Sequence, residues 1–158
     1  MKLEFLQLIS PSLPVGAFSY SEGLEWLVQN KKVHDEISLF NWLESELSRG
    51  QITIEASSIA HIMEDLVNWR DKKDEKYKSI IEEWNSWLTS LRDSPEIRSQ
   101  QTQMGESLLQ LLIDLGHPLP NNEKKFIWPI AWAWAGVCWD IPQIDLVEGF
   151  LYSWVANQ

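Results

Sequence analysis

An all-α fold is what this sequence predicts, and three observations predict it. Apolar residues recur three and four positions apart along almost the whole chain, the mark of one face of a helix. Cap and breaker residues stand at the ends of those runs: Asp35 and Ser94 before them, Gly50, Gly116 and Pro118 after them. The pattern also lacks alternation with a period of two. Its one short β-branched stretch, Ile52-Thr53-Ile54, fits a helical stripe equally well. A chain of 158 residues is long enough to bury a core, and one domain over residues 1–158 with seven to eight helices is expected.

The elements follow in order. The stretch "SPSLPVGAFSYSEGLE", Ser10 to Glu25, is an apolar loop feeding a helix. Pro11 and Pro14 stiffen it, and Gly16 permits a turn that other residues resist. The helix it feeds should begin near Tyr20, capped by Ser19 or Ser21. Asp35 can cap a helix running to about Arg49, whose stripe is Ile37, Phe40, Leu43 and Leu47; Gly50 stops it. Ile52, Ala56, Ile59, Ala60, Met63, Leu66 and Val67 form the next stripe, and "RDKKDEK", Arg70 to Lys76, reads as a charged connection. Tyr77, Ile80, Ile81, Trp84, Trp87, Leu88 and Leu91 fit helical spacing throughout. Ser94 and Pro95 open a helix lined by Ile97, Gln101, Met104, Leu108, Leu111 and Leu115. Gly105 inside it costs about 1 kcal/mol relative to alanine in an exposed helix, which a close helix crossing could offset. "HPLPNNEKK" is a turn-rich loop. Pro129 opens a helix to Trp139 that is apolar all round, so it should be central, and Asp140-Ile141-Pro142 turns into a last helix with Leu146, Phe150, Leu151, Trp154 and Val155. The sequence stops at "YSWVANQ" without a stop signal, which predicts that a further segment belongs after it.

Composition narrows the function. A formal net charge of −10 disfavours nucleic acid and anionic membrane surfaces, which call for basic stripes, and suits basic patches on a partner protein. The single cysteine, Cys138, cannot form an internal disulfide and reads as a small buried hydrophobe. The most apolar stretch, Phe126 to Trp139, spans 14 residues, short of the roughly 20 a membrane helix needs. A cytoplasmic protein is expected. The same stretch has no Lys or Arg between its tryptophans, so its rings serve packing and not base stacking.

Chemistry is hard to find. His34, His61 and His117 lie in different elements, and none pairs with a second His or Cys at metal-ligand spacing. His61 and Asp65 are one helical turn apart and read best as an exposed polar pair. Neither a nucleophile elbow nor a phosphate loop is present. A hydrolase or ligand-binding bundle would have to combine Ser19 and Glu25 with a distant His. Glu22 and Glu25, three apart, are helix-face neighbours, acids that suit a helix N-terminus or an interface. No catalytic, cofactor or metal residues are assigned. A rigid apolar loop leading into an acidic helix suits docking, though Leu13 to Phe18 could equally plug the bundle.

At these residues the chain resembles the urease accessory protein F (UreF) family. "SPSLPVGAFSYSEGLE" is similar to the family's amino-terminal signature, "VHDEISLFNWLESEL" to its second helix, "EIRSQQTQMGESLLQLL" to its Arg-Ser…Gly…Leu-Leu helix, and Phe126 to Gln158 to its Phe-Pro segment and "LYSW" helix. Trp132 and Trp134 stand where other side chains are usual, and members of the family continue past the "LYSW" helix. The resemblance implies an all-helical, cytoplasmic, dimeric, non-enzymatic factor that joins UreD (also called UreH) and UreG on apo-urease. UreG binds the GTP; nickel passes through the complex without a strong site on this protein, and the family's carboxy-terminal segment takes part in engaging UreD. Partner-binding residues expected from the signature are Pro14, Gly16, Ser19, Tyr20, Glu22 and Glu25.

Overall fold

The computed structural model describes residues 2–16 and 23–158. Among them the chain forms eight α-helices and no strand: α1 (Leu3–Leu8), α2 (Leu24–Gln29), α3 (Glu36–Arg49), α4 (Gln51–Lys72), α5 (Glu75–Ser90), α6 (Pro95–Asp114), α7 (Trp128–Cys138) and α8 (Gln143–Ala156), with one 3₁₀ turn at Pro120–Asn122. No helix among the described residues is long and apolar enough to cross a membrane.

The centre is α7, as its all-round apolar pattern predicts. Every residue from Trp128 to Val137 is buried, against α4, α6 and α8. Buried indoles need partners for their N–H groups, and Trp132 and Trp134 each find one. Trp132, fully buried, donates to the Leu146 carbonyl at 3.1 Å; Trp134 donates to the His117 carbonyl at 3.0 Å. Phe150 meets the Trp132 ring edge-on at 5.5 Å.

Helix ends follow the sequence where a side-chain cap specifies them. Asp35 accepts from the Ser38 N–H at 2.8 Å, and Ser38 reciprocates in a capping box. Ser94 accepts from the Glu96 and Ile97 N–H groups, with Pro95 in the first turn. Gly50 ends α3 without the left-handed backbone usual after a helix. Its φ is −76°, and it serves as both the last cap of α3 and the first of α4. Glycine is needed there because a Cβ would sit 2.6 Å from the Glu46 carbonyl oxygen.

The helix fed by the loop starts, among the described residues, at Leu24, after Gly23 at φ 99°; Ser19, Tyr20 and Ser21 lie outside the described residues. Three expectations need correction. The charged connection shrinks to Lys73-Asp74: α4 runs on to Lys72 and turns at Lys73 with φ 51°. Gly105 is approached by extended backbone and not by a crossing helix, since a Cβ would meet the Phe126 carbonyl and lie 2.5 Å from the Ile127 carbonyl carbon. Most consequential, the stripe on α3 divides: Leu47 packs against the core at partial burial, while its first half faces outward. Ile37 is 72% and Phe40 63% exposed, and α3 buries none of its residues.

Nothing in the sequence pattern marks α1, which is six residues long. Tertiary packing forms it: Leu8 is fully buried, and Phe5 packs on Gly149 of α8. The Lys2 ammonium donates to the Trp139 and Asp140 carbonyls, each at 2.7 Å, where α7 ends.

Candidate partner-binding surface

The opening loop folds back on the bundle through two inward side chains. Leu13 and Val15 are buried, while Pro14 between them is exposed. The Val15 N–H donates to the Leu13 carbonyl at 2.8 Å, a three-residue turn that the fixed φ of Pro14 suits. Gly16 follows at φ 76°, where an L side chain would be strained. Pro14, Val15 and Gly16 form one wall of an open groove whose other walls are α6, through Gln103 and Ser107, and Lys124. Leu13 and Val15 thus plug the bundle, while Pro14 and Gly16 remain at its surface; Phe18 lies outside the described residues.

Of the remaining signature residues, Ser19, Tyr20 and Glu22 lie outside the described residues. Glu25 is exposed in the first turn of α2. Beside it Trp26 is 59% and Val28 52% exposed. Neither is singled out by motif reasoning. The available signal is that a six-residue helix cannot bury two faces, so "EWLV" must leave large apolar groups outside. Trp26 and Val28 on α2, with Ile37 and Phe40 on α3, make the segment on either side of the buried Val33 apolar at its surface. Surface aromatics of this kind are the side chains that anchor protein interfaces.

The core also holds a buried ion pair. Arg92 donates to Glu55 from Nε at 3.0 Å and from Nη2 at 2.5 Å, with both residues under a tenth exposed. A cavity of about 40 Å³ adjoins Glu55, between Gln101 of α6 and Ser153 of α8. Such a pair joins α4 to the turn after α5 and fixes their register.

Among the described residues, the features that catalysis would need do not converge. His34 is exposed beside Asp35, with 3.6 Å between Nε2 and Oδ2. The Ser38 hydroxyl, then its backbone N–H, hold the Asp35 carboxyl below its ordinary pKa, as a capping role requires. His61 lies parallel to Trp84 at 6.5 Å, and Asp65 accepts from the same indole at 3.0 Å, so the His61–Asp65 pair organises a tryptophan. His117 occupies the loop after α6. Cys138 is half-buried, less enclosed than expected, and desolvation pushes its thiol up to about 12. No group of three His, Cys, Asp or Glu among the described residues could hold a metal ion.

Comparison with known proteins decides between the two classes left open. The family model for UreF matches residues 33–158. The chain belongs to the UreF family. It is 42% identical over 153 residues to the urease accessory protein UreF of Prochlorococcus marinus, covering 96% of this chain and 67% of that protein. The UreF of Synechocystis sp. is 37% identical over 165 residues, covering 99% of this chain and 70% of the relative. The chain spans about two thirds of the length of these UreF relatives. The loop from Ser10 to Glu25 precedes the stretch matched by the family model.

Proposed function

We propose that this chain is a urease maturation factor that works by binding: a non-catalytic scaffold that, with UreD and UreG, assembles on apo-urease. It favours one conformation of the GTPase partner UreG and so couples its nucleotide cycle to nickel delivery. A protein that makes no bonds itself can influence partners only through unequal affinity for their states. Family membership supports the urease role. The observation that carries the binding mode is the apolar outer surface of α2 and α3, where Trp26, Ile37 and Phe40 are each more than half exposed.

In this reading the signature residues act as a unit. Pro14 and Gly16 set the loop, Ser19, Tyr20 and Glu22 belong to the same contact, and Glu25 supplies charge at its edge. The chain acts in the cytoplasm as a homodimer and needs no cofactor of its own; nickel is cargo of the complex. The experiment is co-purification with UreG and UreD. Glu25→Ala, compared with the parent at a temperature where both are fully folded, should reduce capture of UreG and activation of urease. Undiminished capture and activation would remove Glu25 from the contact.

A further inference from the structure

Helices α4 and α5 form an open groove lined by Asp65, Ile80, Glu83, Trp84 and Trp87. Trp84 and Trp87 meet edge to face, 5.7 Å apart at 68°. His61 covers one side of Trp84, and Asp65 holds its indole N–H, so this ring is fixed in place. Trp87 is 46% exposed. Two carboxylates therefore share the groove with two indoles, and no lysine or arginine lines it. Glu83 makes no ion pair among the described residues.

The chemistry of that lining selects its occupant. A neutral or acidic segment laid on the indoles would cover the Asp65 and Glu83 carboxylates without compensating them, which is costly. A cation satisfies the carboxylates and the ring faces together. The same protein demonstrates the pairing one stretch away. Lys72 Nζ lies 4.9 Å from the centre of the Tyr77 ring and donates to its hydroxyl at 2.8 Å. The chain thus supplies its own ammonium to Tyr77, whereas the tryptophan pair has carboxylates and no cation.

We infer that the Trp84–Trp87 groove is a docking site for an arginine-bearing segment of a partner protein. Guanidinium fits better than ammonium because it is planar, stacks on indole and bridges carboxylates through its fork. The formal net charge of −10 steers such a segment toward the molecule, and the groove gives it a place to lodge. The site does not depend on the role proposed for α2 and α3.

The test uses the full chain at low salt with a capped Gly-Arg-Gly-Arg-Gly peptide and its citrulline counterpart, which keeps the shape and lacks the charge. Binding is read by calorimetry, and the indole N–H resonances of Trp84 and Trp87 are identified by their loss in Trp84→Phe and Trp87→Phe. The arginine peptide should move both resonances, and the citrulline peptide should move neither. Trp87→Ala and Glu83→Gln should each weaken binding about twofold to fivefold, the size of a surface cation–π or ion-pair contact. Glu44→Gln on α3, exposed and remote in sequence, should leave affinity unchanged. Unmoved indoles, equal binding of the citrulline peptide, or equal losses in Glu83→Gln and Glu44→Gln would each overturn the assignment.

Discussion

Gly105→Ala should destabilise this protein, although the same change in an exposed helix stabilises by about 1 kcal/mol. The added Cβ would lie 2.5 Å from the Ile127 carbonyl carbon, 2.9 Å from its Cα and against the Phe126 carbonyl. Ordinary carbon contacts sit at about 3.5–4.0 Å, so backbone must retreat by about 1 Å. It is poorly placed to do so. The Ile127 N–H is held by the Asn85 side chain at 2.9 Å, and the Ile127 carbonyl accepts from the Ile130 and Ala131 N–H groups that start α7. Phe126 is pinned edge-on to Trp69. Overpacking costs about 1–3 kcal/mol, and a clash with backbone has no rotamer to relieve it, so about 3 applies. Subtracting the helix-propensity gain leaves a net loss of about 2 kcal/mol. In a chain of this size that lowers Tm by about 4–8 °C, read by circular dichroism and checked by urea unfolding with an unchanged slope. A Tm equal to or above that of the parent would refute the close approach and the account of why glycine stands there.

Further predictions concern buried polar groups and surfaces. Trp132→Phe removes the donor to the Leu146 carbonyl and part of a fully buried ring, and should cost about 1–3 kcal/mol in urea unfolding. Arg92→Met leaves Glu55 in the core without its guanidinium and should cost about 3–5 kcal/mol. The double change with Glu55→Leu should recover much of that loss, and a double variant no better than the single would contradict the coupling. Cys138 ionises only near pH 12 in the folded chain, above its ordinary value of 9.0, so folding favours its protonated form. Stability linked to it is complete below pH 9 and falls as pH rises toward 12. Alkylation of Cys138 at pH 9 should accordingly be slow in the folded protein and fast in urea; equal rates would contradict the burial.

Sequence legibility followed the range of the interactions. The ends of α6 could be read from Ser94, Pro95, Gly116 and Pro118 because capping is local chemistry. The central place of α7 could be read because a helix apolar on every side has nowhere else to go. Hydrophobic periodicity revealed the stripe of α3 but not what covers it. Ile37 and Phe40 have the spacing of core residues and lie outside, since amphipathicity is the same whether the apolar face meets its own chain or another. Gly105 signalled a close approach, yet identifying Phe126–Ile127 as the neighbour required tertiary structure. The same holds for α1, which exists through contacts with α7 and α8 more than a hundred residues away. In the candidate surface, the Pro14 and Gly16 turn was legible from backbone rules. Trp26 was not, because no motif marks it and only the folded structure shows its exposure.

The most direct measurement pairs a stability scan with reconstituted urease activation by nickel, using the double substitution Trp26→Ala and Phe40→Ala. Both side chains are mostly solvent-facing, so the variant should melt at the parent temperature while failing to capture UreG and UreD or to activate apo-urease. A correctly folded double variant with full capture and full activation would show that this face is idle, and that the protein acts on urease by some other means.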